Sequence, residues 1–170
     1  VFYQKTGLIH FWKFVTLPAL TALATCSSAA SIPANLEACK KLKISPMIYE
    51  TTIPLGSLIH KQGSIIGGIF KIIFLFSLYH MPFQGVMVMS LAVLVSLLVG
   101  TVMGAIPSGG MLGELLILHV YGFPNSALIA IAAFSVIIDP IATMLNVCGN
   151  TVSTMIIAKF LNFNTSDEMA

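Results

Sequence analysis

Apolar residues dominate this chain in long runs, and the polar positions that interrupt them define its parts. Residues 1–13 mix Lys5, His10 and Lys13 with Phe11 and Trp12, the combination that anchors a chain at a membrane interface. Residues 14–25 are an apolar run of about 12 residues, or ~18 Å of helix, short of the ~30 Å hydrocarbon core. The run stops in Cys26-Ser-Ser-Ala-Ala-Ser-Ile-Pro33, where small residues and a proline suit a tip. The chain resumes over residues 34–44, with Glu37, Lys40, Lys41 and Lys43 at the far end. Two half-length helices around a tip predict a re-entrant hairpin over residues 13–45. Its tip sits near the bilayer midplane and its basic end returns to water. Non-helical backbone at that depth has to line a cavity or be buried in protein.

Ser45-Pro46 opens a long spanning helix over residues 46–80, with a break bracketed by Pro54, Gly56 and Gly63. Within it, residues 64–79 read as an apolar segment. His80-Met-Pro-Phe83 is a loop. Residues 86–103 lead into a second small-residue tip, Gly104-Ala-Ile-Pro-Ser-Gly-Gly110, and residues 111–121 return from it, predicting a second hairpin over 86–121. Residues 122–126 form a turn, 126–160 a final long helix, and 162–170 a polar tail. Ser31-Ile-Pro33 and Ala105-Ile-Pro107 mark corresponding points of two units. The predicted fold is an all-α membrane protein. Two re-entrant helical hairpins and two discontinuous or long transmembrane helices make an inverted-repeat-like transport core, the arrangement that places a transporter site at the midplane.

The last helix carries a polar stripe. Asp139, Thr143, Asn146 and Asn150 lie at steps of four, three and four, which puts them on one helical face. Residues 127–138 and 151–158 beside them are almost wholly apolar. A charge at membrane depth costs about 2.5–3.5 kcal/mol on insertion scales and usually faces a cavity or a partner. The stripe therefore reads as the lining of a polar substrate or ion site, with Asp139 as its lone anion, ahead of a seam that only holds helices together.

Composition narrows the class. Of 170 residues, 57% are hydrophobic and 8% charged, and the mean hydropathy is +0.97. A soluble domain carries about 25% charged residues, so this chain belongs in a membrane. The net charge of +2 rests on lysines alone, with no arginine, and no basic cluster fits a nucleic-acid partner. Cys26, Cys39 and Cys148 show no metal or redox spacing. No nucleophile–base pair points to an enzyme. The chain opens on Val1, and the expectation is a piece of a longer polypeptide.

Four motifs in order resemble the glutamate-transporter-like family of dicarboxylate/amino acid:cation symporters over most of the chain, residues 13–159. Ser27-Ser-Ala-Ala-Ser-Ile-Pro33 resembles the serine-rich first hairpin tip. Pro54-Leu-Gly-Ser-Leu-Ile-His-Lys-Gln-Gly63 is similar to the PLGATINMDG break of the seventh helix. Ala105-Ile-Pro-Ser-Gly-Gly110 resembles the second tip, and Asp139-Pro-Ile-Ala-Thr-Met-Leu-Asn-Val-Cys-Gly-Asn150 the DxxRTMxNVxGD of the eighth helix. The resemblance implies a C-terminal transport core without the six preceding helices, which include those that hold a homotrimer. It implies a multi-pass protein of the cell membrane, here a bacterial inner membrane, in contact with lipid. It places the substrate carboxylate among Ser27, Ser28, the second tip and Asn146. Asp139 then takes the substrate ammonium, Thr143 supports it, and Ile106 and Gly110 touch substrate from the gate.

The departures refine that reading. Ala142 stands where members for acidic substrates carry an arginine, and Cys26 at the other place some members put one. A second carboxylate would lack its bidentate partner, so small neutral amino acids are expected. The cation-site positions are Gly56, His60, Lys61, Gln62, Ser64, Asn146 and Asn150. The family's sodium-binding aspartates and asparagine read His60, Gln62 and Asn150, and Lys61 replaces a methionine. A hard cation wants charged oxygen ligands, so a sodium site is expected to be weak. Lys61 then stands in for the cation, with proton coupling through Lys61, His60 or Glu114; a buried Lys–Glu pair would titrate as one unit. No cofactor is expected beyond Na+ or H+ as coupling ion. The competing reading is a non-transporting relative acting as a sensor or partner subunit.

Overall fold

The computed structural model describes residues 5–105 and 109–161. Among these, every regular element is an α-helix: α1 (Lys5–Thr25), α2 (Ile32–Lys41), α3 (Pro46–Ile59), α4 (Gln62–Leu78), α5 (Val86–Ala105), α6 (Gly109–Tyr121) and α7 (Ala127–Phe160). They form two compact units. The first holds α1, α2, α3 and residues 143–160 of α7; the second holds α4, α5, α6 and residues 127–142 of α7.

In the first unit, α1 corrects the sequence reading. It spans 21 residues, ~31 Å at the usual rise, so it is not a half-length arm beginning at residue 14. The reason is a buried stripe of Phe11, Val15, Ala19 and Ala22, at steps of four, four and three. That stripe starts upstream of residue 14, in the stretch read as an interfacial entry. The helix stops at Cys26, whose φ of +50° is left-handed and whose N–H still donates to the Ala22 carbonyl at 2.9 Å. Then α2 starts at Ile32 with Pro33 in its first turn, where a missing N–H leaves no rung empty. It packs on both α1 and α3. Cys39, Ile44, Ile48, Tyr49, Ile53 and Ala158 form the core of this unit.

The second unit packs α4 on α5 and α5 on α6 around Ile72, Leu75, Val95, Val99, Ile117 and Ile131. Small residues let these helices approach closely. A Cβ on Gly100 would meet Ile65 at 2.7 Å, and one on Gly113 would meet Val99 at 2.8 Å. Seams of this kind hold helices together where lipid provides no hydrophobic drive. Along α4, Gly67 faces Ile138 and Ala142, Lys71 reaches Asp139, and Phe74 stacks on Phe134 with centroids 4.4 Å apart. Numbers rise on α4 as they fall on α7, so the two helices are antiparallel here.

Among the described residues, two stretches are long and apolar enough to cross a membrane, Pro46–Leu78 and Ala127–Phe160. The first contains a non-helical joint at His60 and Lys61. Large apolar side chains such as Ile59, Phe70, Met87, Ile129, Val136 and Phe160 point outward, as a surface meeting hydrocarbon requires.

Candidate functional site

In the second unit the structure brings together three ionisable side chains from three helices. Lys71 sits on α4 amid apolar neighbours, with a side chain only 2% exposed. Its Nζ lies 2.8 Å from Asp139 Oδ1 on α7 and 3.6 Å from Glu114 Oε1 on α6. Ser135, one turn before Asp139, donates its hydroxyl to the same Glu114 oxygen. The Gly67 seam, one turn before Lys71, brings the backbones close enough for the lysine to reach across.

This cluster corrects two expectations. Asp139 is not a lone anion, since it shares one ammonium with a second carboxylate. Glu114 does have a lysine partner, but it is Lys71 and not Lys61. The physical reason is that an unmatched carboxylate at this depth is costly, and Lys71 is the cation that the packing of α4 on α7 supplies. Sequence reasoning passed over Lys71 because residues 64–79 read as uniformly apolar. The available signal was a single lysine in the middle of a span, which by default marks a site.

Other candidate positions fall out as follows. Ala142 is buried on the side of α7 that meets α4, and a Cβ added at Gly67 would lie 3.6 Å from its methyl, an ordinary contact distance. Gly110 lies in the first turn of α6 with open space where a side chain would be. Ile106 lies outside the described residues. At the joint, the His60 N–H closes α3 on the Gly56 carbonyl at 2.8 Å, and the Lys61 carbonyl accepts from Ile65 at 3.0 Å. Gln62 opens α4, and Ser64 is buried in its first turn.

The first unit uses its share of the polar residues largely to join helices. Thr143 and Asn146 are buried on α7. Asn150 donates its amide to the Ile53 carbonyl at 2.9 Å, and its side chain fills the space above Gly56. Asn35 accepts from Thr151 at 2.5 Å, and Thr52 bonds Thr154 at 2.9 Å. At the α1–α2 turn, the Ser27 hydroxyl accepts from the Ala30 N–H at 3.2 Å and the Ser27 carbonyl accepts from Ser31 at 3.0 Å, while Ser28 is half-buried.

The family model described as the sodium:dicarboxylate symporter family matches residues 1–160. The chain belongs to this family. Among its relatives, a serine/threonine transporter SstT from Bifidobacterium adolescentis is 30% identical over 79% of this chain and 31% of its own length. The neutral amino acid transporter A of Bos taurus is 28% identical over 91% of this chain and 29% of its own length. The Caenorhabditis elegans protein glt-4, named for sodium-dependent excitatory amino acid transport, is 28% identical over 82% of this chain and 28% of its own length. The chain thus spans under a third of the length of the curated relatives it matches. No solved structure matches it. The family is one of membrane transporters and not of enzymes.

Proposed function

We propose that this chain forms the transport core of a secondary active amino-acid symporter, with small neutral amino acids as its substrates. The single observation that carries the substrate class is the buried Ala142, in a chain without arginine. In this reading the position that would hold a guanidinium for a second carboxylate carries only a methyl. The relatives named for serine/threonine and neutral amino acids support the same class; the one named for excitatory amino acids does not.

In this reading Ser27, Ser28 and Asn146 meet the substrate carboxylate, Asp139 the ammonium with Thr143 beside it, and Ile106 and Gly110 belong to the gate. The pairs α1–α2 and α5–α6 serve as re-entrant hairpins of one long and one short arm each, and the core moves as an elevator in a homotrimer of a bacterial inner membrane. The coupling ion is a proton, or the protein exchanges substrates without one. Asn150 bonding Ile53 supports this, because an amide that joins two helices replaces a carboxylate that would have ligated a cation. That same amide favours the second reading, a non-transporting relative that senses amino acids. The test is uptake of labelled L-serine and L-alanine into liposomes holding the full-length protein, with sodium replaced by choline. Uptake that survives choline is expected. A steep sodium requirement refutes the coupling assignment, and ligand-induced stabilisation without uptake favours the sensor.

A further inference from the structure

Lys71 is the least expected feature of the second unit, and three observations define what it can do. First, its ammonium has two carboxylates in reach at unequal distance, 2.8 Å to Asp139 and 3.6 Å to Glu114. Second, the three side chains differ in access. Those of Lys71 and Glu114 are 2% and 8% exposed, whereas that of Asp139 is 29% exposed. The aspartate is the most accessible of the three, and the lysine the least. Third, Glu114 can change partners. The Ser135 hydroxyl has one proton and two acceptors within reach, Glu114 Oε1 and the Ile131 carbonyl at 2.8 Å. When the proton turns to Ile131, a lone pair on Glu114 is freed for an N–H of Lys71.

We propose that Lys71 is a built-in counter-cation that competes with the substrate's amine for Asp139, held on the aspartate while no substrate is bound and handed to Glu114 when an ammonium binds. The inference rests on the amino-acid reading above and adds a specificity-determining residue to it. The lysine has only to close its 3.6 Å separation from Glu114 to the 2.8 Å it now holds with Asp139. In both positions the buried ammonium keeps an anionic partner, so neither state leaves Lys71 without a carboxylate. A substrate without an amine offers Asp139 no cation in exchange for Lys71, so it does not compete with the lysine. The device selects for amines by charge matching and uses no arginine.

The experiment measures L-alanine binding to the detergent-solubilised full-length protein, by calorimetry, in wild type, Lys71→Met and Glu114→Gln. Removing the internal competitor is expected to tighten L-alanine binding at least tenfold. Removing the fallback seat is expected to weaken it at least tenfold, because the lysine then stays on Asp139. Opposite signs are what a purely structural cluster would not give, since damage to packing weakens binding in both variants. Variants that move the same way, or not at all, overturn the proposal and leave the amino-acid reading standing. A wild type that binds neither L-alanine nor L-serine overturns that reading and this inference with it. If Lys71→Met does not fold, Glu114→Gln decides alone: weaker L-alanine binding at unchanged melting temperature supports the exchange, and equal or tighter binding refutes it.

Discussion

The contact between Gly56 and Asn150 offers a prediction that is independent of function. A methyl carbon added at Gly56 would lie 1.9 Å from Asn150 Oδ1 and 2.5 Å from its Cγ. Neither distance is tolerable, so Gly56→Ala has to displace the Asn150 amide. That amide donates to the Ile53 carbonyl at 2.9 Å and is buried. Losing a buried hydrogen bond costs about 1–3 kcal/mol, and forcing a carbon into filled space about 1–3 kcal/mol more. Alanine's better helix propensity offsets roughly 1 kcal/mol. The net expectation is destabilisation by about 1–5 kcal/mol, a fall of several degrees in melting temperature at about 2–4 °C per kcal/mol for a chain this size. The assay is thermal unfolding in detergent as a double-mutant cycle with Asn150→Ala. Removing the amide first vacates the space, so Gly56→Ala in that background should be neutral or stabilising by up to ~1 kcal/mol. A Gly56→Ala effect of the same size and sign in both backgrounds would refute the reasoning.

Two further predictions concern access and packing. With a thiol-reactive maleimide on the folded, solubilised protein, exposed Cys26 should label within minutes while Cys39, 0% exposed, labels only after unfolding; equal rates would contradict the burial of α2. Ala142→Arg, made to install the family's acidic-substrate residue, should lower the folded, monodisperse fraction on size exclusion without conferring L-aspartate binding, because a long charged side chain would start from a buried methyl position. A stable variant that binds aspartate would show that the space is open.

Much of the architecture was legible because membrane helices announce themselves by length and apolarity, and because Pro, Gly and small residues punctuate them. The joint at His60 and Lys61 lies inside the stretch that Gly56 and Gly63 bracket. The polar face of α7 could be read from its steps of four, three and four. What could not be read was which face met which helix. Composition along residues 5–13 does not reveal that Phe11 continues the stripe of Val15, Ala19 and Ala22, so α1 was expected to be too short. Lys71 was missed for a related reason: its partners lie far along the chain, and their pairing depends on tertiary packing. The spacing of Gly67, Lys71 and Phe74, at steps of four and three, does place a small residue, a charge and an aromatic on one face. The chain's departures at 60, 62 and 150 were visible as substitutions, but that Asn150 bonds the Ile53 carbonyl only the fold could show.

The position of Lys71 also bears on how such a chain is made. It emerges from the ribosome in α4, well before either carboxylate that will neutralise it. A span with a lysine at its centre inserts reluctantly when alone, by about 2.5–3.5 kcal/mol on translocon scales. Glu114 arrives with α6 and can serve first, while Asp139 comes only with the last helix. Biogenesis of this half therefore stays provisional until α7 is threaded, and a nascent chain cut short before it would hold its central charge half-answered, a natural mark for membrane quality control.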